Sequence, residues 1–206
     1  LIAVFCLIIN LFIGVLAAYS LARIGGRTAR IIEEMIVLPV AIPGLAIALA
    51  LIIMYGGFRD FRISWLFILV GHVLYTLPFM VRSVLAVLTS TNFKILEEGA
   101  ASLGAPFWHR FINVVLPNAK PGILAGSLMV ITLSVGEFNL TWMLHTPMTK
   151  TLPVGLADSY ASMRLEVASA YTLVFFVMIV PLLIAMQLLA NSQHQTKKII
   201  QDEDAH

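Results

Sequence analysis

Glu137 is the one acid within the long apolar runs of this sequence. It sits in LSVGEFNLTW, residues 133–142, with Ser134, Asn139 and Thr141 around it. A carboxylate away from water is costly and turns toward a cavity or a partner. Taken one at a time, these polar residues fit hydrogen bonds to a neighbouring helix. Taken as a cluster, they fit a contact for a solute or a gate along a path, and the acid would suit a cationic solute. His72 is alone in its apolar run and fits a satisfied packing residue, so it receives no role. His145 and Met148 lack metal-ligand spacing, and Cys6 stands alone, so neither a metal site nor a disulfide is expected. There is no H-E-x-x-H, no G-x-S-x-G and no second acid to pair with Glu137, which leaves an enzyme without its machinery. A proton-coupled carrier would need several buried titratable groups. Only Glu137 and His72 qualify, on different segments.

The elements that must hold these residues follow from composition. The 206 residues are 60% hydrophobic and 12% charged, with a mean hydropathy of +0.95. A soluble domain is about a quarter charged, so the solvent here is a bilayer. A spanning helix needs about 20 apolar residues. Five runs qualify: Leu1 to Ala22, Met35 to Gly57, Ile63 to Val81, Pro121 to Leu144 and Val167 to Ala190. Each must satisfy its own backbone, so the expected fold is an all-α polytopic bundle of about five transmembrane helices. From Pro121 to Glu137 is about 24 Å of helix at about 1.5 Å per residue, which puts Glu137 in the outer half of its span. In LPVAIPG, residues 38–44, Pro39 and Pro43 fall inside a span. Each kinks a helix, either as a fixed packing bend or as one that moves beside a path.

Basic residues sort by side. Arg23, Arg27, Arg30, Arg82, Lys94, Arg110, Lys120, Lys197 and Lys198 fall on one side of the five spans; Arg59, Arg62, Lys150 and Arg164 fall on the other. The nine-residue side is the cytoplasmic one, which puts the C-terminus inside and residues 146–166 outside. That outer segment mixes Leu156, Tyr160 and Met163 with Asp158, Arg164 and Glu166, and suits a short helix at the membrane edge.

Residues 91–117 form the odd insert, longer than a plain linker needs to be. Two short helices fit it. Thr91 or Asn92 caps the first, and Glu97 and Glu98 lie further along it. Gly99, Ala100, Ala101 and Ser102 give it a smooth face, and Gly104 stops it. Pro106 fits the first turn of the second helix, Phe107 to Val115, which Leu116 and Pro117 end before Pro121 begins the next span. On the cytoplasmic side this is a docking knob.

The spacing Glu98, Ala100, three residues to Gly104, nine residues, Val114, Leu116, Pro117 resembles the EAA loop of permease subunits of binding-protein-dependent ABC importers. Gly99 stands where that pattern has its first Ala, and Val114 where it has Ile. AAYSLARIGGR, LPVAIPG and LPNAKPGILAG resemble the same family in the same order, so residues 1–206 read as a single permease domain with a cytoplasmic coupling loop at 91–117. The resemblance implies a type I ABC importer-like fold in the bacterial inner membrane. It also implies a second permease subunit, identical or not, around a central path, and an extracytoplasmic substrate-binding protein docked near the outer segment. Glu98, Gly99, Ala100, Ser102, Leu103, Gly104 and Ala105 would seat on a separate ABC ATPase. The chain has no G-x-x-x-x-G-K loop, so ATP is expected on the partner and no cofactor or nucleic acid on this chain. Pro39, Pro43, Ser134, Glu137, Asn139 and Thr141 would line the path. Residues 137–187 look most like permeases of the spermidine/putrescine, ferric-iron and aminoethylphosphonate group, and the acid tilts the reading toward a polyamine. A secondary carrier or a structural membrane subunit stays open. The first residue is not Met and lies inside an apolar run, so one or more N-terminal helices are expected to be missing.

Overall fold

Backbone amides in lipid have no water to bond, so each run must close its own hydrogen bonds. The computed structural model of the chain describes residues 1–203, with side chains through Leu188. Among the described residues the regular elements are all helical. They are α1 (Ile2–Ile24), α2 (Gly26–Ala41), α3 (Gly44–Tyr55), α4 (Arg59–Arg62), α5 (Trp65–Ser90), α6 (Phe93–Ser102), α7 (Phe107–Arg110), α8 (Leu116–Gly136), α9 (Asn139–Leu144), α10 (Leu152–Ala161) and α11 (Leu165–Glu203). A π-helical turn, Phe111–Val115, joins α7 to α8. Four stretches are long and apolar enough to cross a membrane: Ile2–Ile24, Trp65–Ser90, Phe107–Gly136 and Leu165–Leu188. α2 and α3 make a fifth crossing only as a pair bent by 99°.

Packing shows why that bent pair is a crossing. α1 and α5 run parallel: Phe5 stacks near Trp65, Asn10 bonds Thr76, and Tyr19 meets Phe93 just beyond α5. Two parallel neighbours need a return crossing between them, and α2–α3 is the apolar stretch that lies there. α8 then runs back along α5, with Gly126 against Met80 and Gly122 against Ser83 and Val84. Glycines permit these close approaches. A Cβ at Gly14 would stand 2.6 Å from Met80 Cγ, and one at Gly122 would stand 2.6 Å from the Ser83 carbonyl oxygen.

The all-α polytopic architecture is as expected, but several boundaries move. The run from Met35 to Gly57 is broken at Ile42, where the backbone is extended (ψ 131°) and Pro43 caps α3. The third span continues nine residues past Val81 and takes Arg82 into α5, where it faces Glu33 of α2 at 3.5 Å. Leu116 and Pro117 do not end the second insert helix, and Pro121 does not begin the next span. Helix is continuous from Phe107 to Gly136. Pro117 lacks an N–H and crowds the carbonyl four residues back. The π turn immediately before it widens the helix there, and Asn118 Nδ2 donates to the Val114 carbonyl at 2.7 Å. The fourth span also stops early, because the chain is extended at Glu137 (ψ 120°) and restarts as α9. Glu137 therefore lies at a break and not within a continuous helix. The side chains of Lys197 and Lys198 lie outside the described residues.

Candidate functional site

The insert is built around one buried acid. Phe93 and Glu97, four residues apart on α6, face inward and are buried. Tyr19 Oη donates to Glu97 Oε1 at 2.8 Å. Arg110 Nη1 stands 3.6 Å and Arg23 Nη1 3.7 Å from the same oxygen. Tyr19 also packs edge-on against Phe111 and tilts on Phe107. The other face of α6 is open: Glu98, Gly99, Ala101, Ser102, Leu103 and Gly104 are exposed, and Ala100 and Ala105 are half-buried.

The turn after α6 needs glycine. Gly104 has φ +83°. Its N–H donates to the Ala101 carbonyl at 2.9 Å, and the Ala105 N–H donates to the Ala100 carbonyl at 3.1 Å, which is the paired closure of a helix C-terminus. Pro106 then stands at the N-cap of α7, one place earlier than expected, and Asn92 occupies the N-cap of α6 without a side-chain bond. Leu103 is 90% exposed, Ile95 67% and Trp108 65%.

The residues expected along a path separate into two groups. Ser134 and Thr141 are buried and converge on His72, whose Nδ1 lies 2.8 Å from Ser134 Oγ and whose Nε2 lies 2.7 Å from Thr141 Oγ1. Thr76 Oγ1 donates to the His72 carbonyl at 2.7 Å and accepts from Asn10 Nδ2 at 3.0 Å. A polar chain thus crosses α1, α5, α8 and α9. His72 is the satisfied packing residue expected of it, whereas Thr76 and Asn10 have no sequence-based reading. The available signal was that each is a polar group inside an apolar helix, where such groups bond across helices.

Glu137 is half-buried and Asn139 exposed. Glu137 Oε1 accepts the Leu140 N–H at 2.6 Å, at the start of α9. A Cβ at Gly44 would lie 3.6 Å from that oxygen, so the two broken spans meet, and a carboxylate stands by two helix N-termini, where it is favoured. Pro43 is exposed and caps α3; Pro39 is half-buried inside α2. At the far end, α10 is the short helix expected between 146 and 166. Lys150 Nζ bonds Asp158 Oδ2 at 2.6 Å, which holds the Asp158 carboxyl below its usual range.

The chain matches the family of binding-protein-dependent transport system inner membrane components over residues 10–195. It belongs to that family. It is 29% identical over 180 residues to the PhnV protein of Salmonella typhimurium, named for a 2-aminoethylphosphonate transport system permease, covering 86% of this chain and 66% of that one. It is 28% identical over 205 residues to the sulfate transport system permease protein CysW of Synechocystis sp., covering 93% and 74%. It is 28% identical over 155 residues to the molybdenum transport system permease protein ModB of Escherichia coli, covering 68% and 67%. The chain thus spans about two thirds of the length of the PhnV relative. Family membership agrees with the all-α membrane fold and with a non-catalytic membrane component.

Proposed function

We propose that this chain is the transmembrane subunit of an ABC importer. It forms a translocation path with a second permease subunit and is driven by a separate ATPase. The observation that carries the reading is the open face of α6, ending in the glycine turn at Gly104, at the end of the bundle where Arg23, Lys94 and Arg110 gather. That face holds Glu98, Gly99, Ala100, Ser102, Leu103, Gly104 and Ala105, and seats on the ATPase. The basic end is cytoplasmic, the C-terminus lies inside, and a substrate-binding protein docks at the end carrying α10. The path runs past the meeting breaks at Pro43 and Glu137.

The solute is an oxyanion or phosphonate. The relatives named above carry 2-aminoethylphosphonate, sulfate and molybdenum in their names. The acid at Glu137 suits a cation, but its Oε1 accepts the Leu140 N–H at the start of α9, a structural use of that charge.

Two measurements test this. The complex copurifies with its ATPase, whereas Gly104→Asp, which strains a left-handed backbone and places a charge in the contact, inserts in the membrane but loses both ATPase and transport. Normal assembly and transport by that variant would remove the docking assignment. Titrating the partner binding protein with sulfate, molybdate, 2-aminoethylphosphonate and spermidine decides the solute class; binding of spermidine alone would restore the polyamine.

A further inference from the structure

By spacing, the glutamate of the insert motif is Glu98, and Glu98 is exposed. Its neighbour Glu97 falls outside that motif and is 3% exposed. A carboxylate is not buried without partners. Here the partners of this α6 carboxylate come from two other helices: Tyr19 and Arg23 from the end of α1, and Arg110 from α7. All converge on the single oxygen Oε1. Arg23 Nη1 lies 3.3 Å from Tyr19 Oη, closing the cluster on the α1 side. The Arg110 side chain is 18% exposed, and its Nε has no partner among the described residues, so Glu97 is what neutralises it.

The position of this cluster gives it mechanical content. α6 is continuous in chain with α5 through a short turn, and with α8 through α7 and the π turn. Neither connection reaches α1, which is separated from α6 by 78 positions at the Tyr19–Glu97 bond. Besides this cluster, α1 meets the insert through the Tyr19 ring contacts and the approach of Lys94 to Gly25, and the charge-assisted bonds are the strongest polar link among them.

We infer that Glu97 is a positioning residue that locks α1 to α6, so that displacement of the insert by an ATPase carries the first crossing with it as one body. This rests on the docking reading above, but it concerns the buried face of α6 and not the open one.

The test uses the complete complex in lipid nanodiscs, with Ser20→Cys on α1 and Leu96→Cys on α6, both exposed and both outside the face assigned to the ATPase. Both carry spin labels, and their separation is measured with and without a non-hydrolysable ATP analogue. The native Cys6 is fully buried and escapes the label. With Glu97 present, one narrow separation is expected in both states. With Glu97→Gln, which keeps an acceptor for Tyr19 but loses the attraction for both arginines, the complex still retains its ATPase. Its separation then broadens or shifts when the nucleotide binds. A merely structural glutamate would lower the yield of complex and leave the nucleotide response unchanged. Identical separations in the variant and the parent overturn the inference, as does a parent separation that itself splits on adding nucleotide. Should Glu97→Gln fail to assemble, Tyr19→Phe replaces it, read in the same way. The two readings fail separately. Gly104→Asp with ATPase still bound removes the docking surface, whereas an unresponsive Glu97→Gln with ATPase bound removes only the lock.

Discussion

His72 Nε2 lies 2.7 Å from Thr141 Oγ1, so an imidazole on α5 holds the helix that restarts after the break at Glu137. The other ring nitrogen holds Ser134, on the helix that stops before the break. One side chain thus ties together the two pieces of an interrupted span. The break itself does not disorder the packing, because Leu140 and Leu144 of α9 also fill the space left by Gly71 of α5, where a Cβ would stand 2.6 Å from Leu140 Cδ2.

Removing the ring should loosen that join. His72→Leu leaves the Ser134 and Thr141 hydroxyls without their ring partner, and an unsatisfied buried group costs about 1–3 kcal/mol. Interhelical hydrogen bonds in membranes average nearer about 0.6 kcal/mol, so a net loss of about 1–2 kcal/mol is expected. It should appear as a lower melting temperature of the detergent-solubilised complex. Adding Ser134→Ala and Thr141→Val to His72→Leu should recover part of the loss, since no polar group is then stranded. An unchanged melting temperature for His72→Leu would show that the bonds contribute nothing net.

Gly122 offers a sharper steric test. Its would-be Cβ lies 2.6 Å from the Ser83 carbonyl oxygen and 3.0 Å from Val84 Cα, both backbone atoms that cannot rotate away. Gly122→Ala should therefore push α8 off α5, at the cost of about 1–3 kcal/mol usual for overpacking. Gly136, with nothing within 4 Å of its would-be Cβ, is the control. Gly136→Ala should be neutral or slightly stabilising, because alanine is the better helix former. Equal melting temperatures for the two variants would contradict the close approach of α5 and α8.

Much of this arrangement was legible before any coordinates. The apolar runs gave the crossings, because length and charge depletion are read directly from residues. The Gly104 turn was equally legible, since glycine followed two residues later by proline is a local signal. What escaped was longer in range. Pro117 reads as a helix end, and only the π turn before it lets the helix run through. Glu137 reads as part of a continuous span, in its outer half, because a lone glycine such as Gly136 does not by itself announce a break in an apolar run. Tyr19 and Glu97 are 78 positions apart, and no pattern of spacing joins them.

Orientation makes its own prediction. The ends of the bundle are distinguished by Arg23, Lys94 and Arg110 at one and by Arg62, Lys150 and Arg164 at the other. Arg62 Nη1 donates to the Leu144 carbonyl at 2.9 Å, and Lys150 and Arg164 both approach Asp158. With the first end cytoplasmic, Lys150→Cys should react with an impermeant thiol reagent on intact cells, and Lys94→Cys only after lysis. Buried Cys6 adds no background. The reverse pattern would turn the bundle over and take the docking face away from any cytoplasmic ATPase.

Glu137 gives the test of the proposed path. Its Oε1 accepts the Leu140 N–H at 2.6 Å and lies within contact distance of Gly44, at the start of the other broken span. A carboxylate in that place stabilises the restarting helix both as an acceptor and as a negative charge near the helix N-terminus. Gln keeps the acceptor and the shape and removes the charge. Glu137→Gln should therefore leave the yield of complex nearly intact, giving up no more than about 1 kcal/mol of charge–dipole stabilisation, and should leave uptake close to normal. Leu removes the acceptor as well, so Glu137→Leu should lower the yield of assembled complex through the stranded Leu140 N–H and the loss of the join to α3. The two variants are compared by solubilised yield and by uptake in reconstituted vesicles. If the Gln variant assembles normally yet loses uptake, the charge itself acts on the solute. A carboxylate that attracts the passing solute is incompatible with sulfate or molybdate, so that outcome would leave a solute with a cationic group, an aminophosphonate or a polyamine.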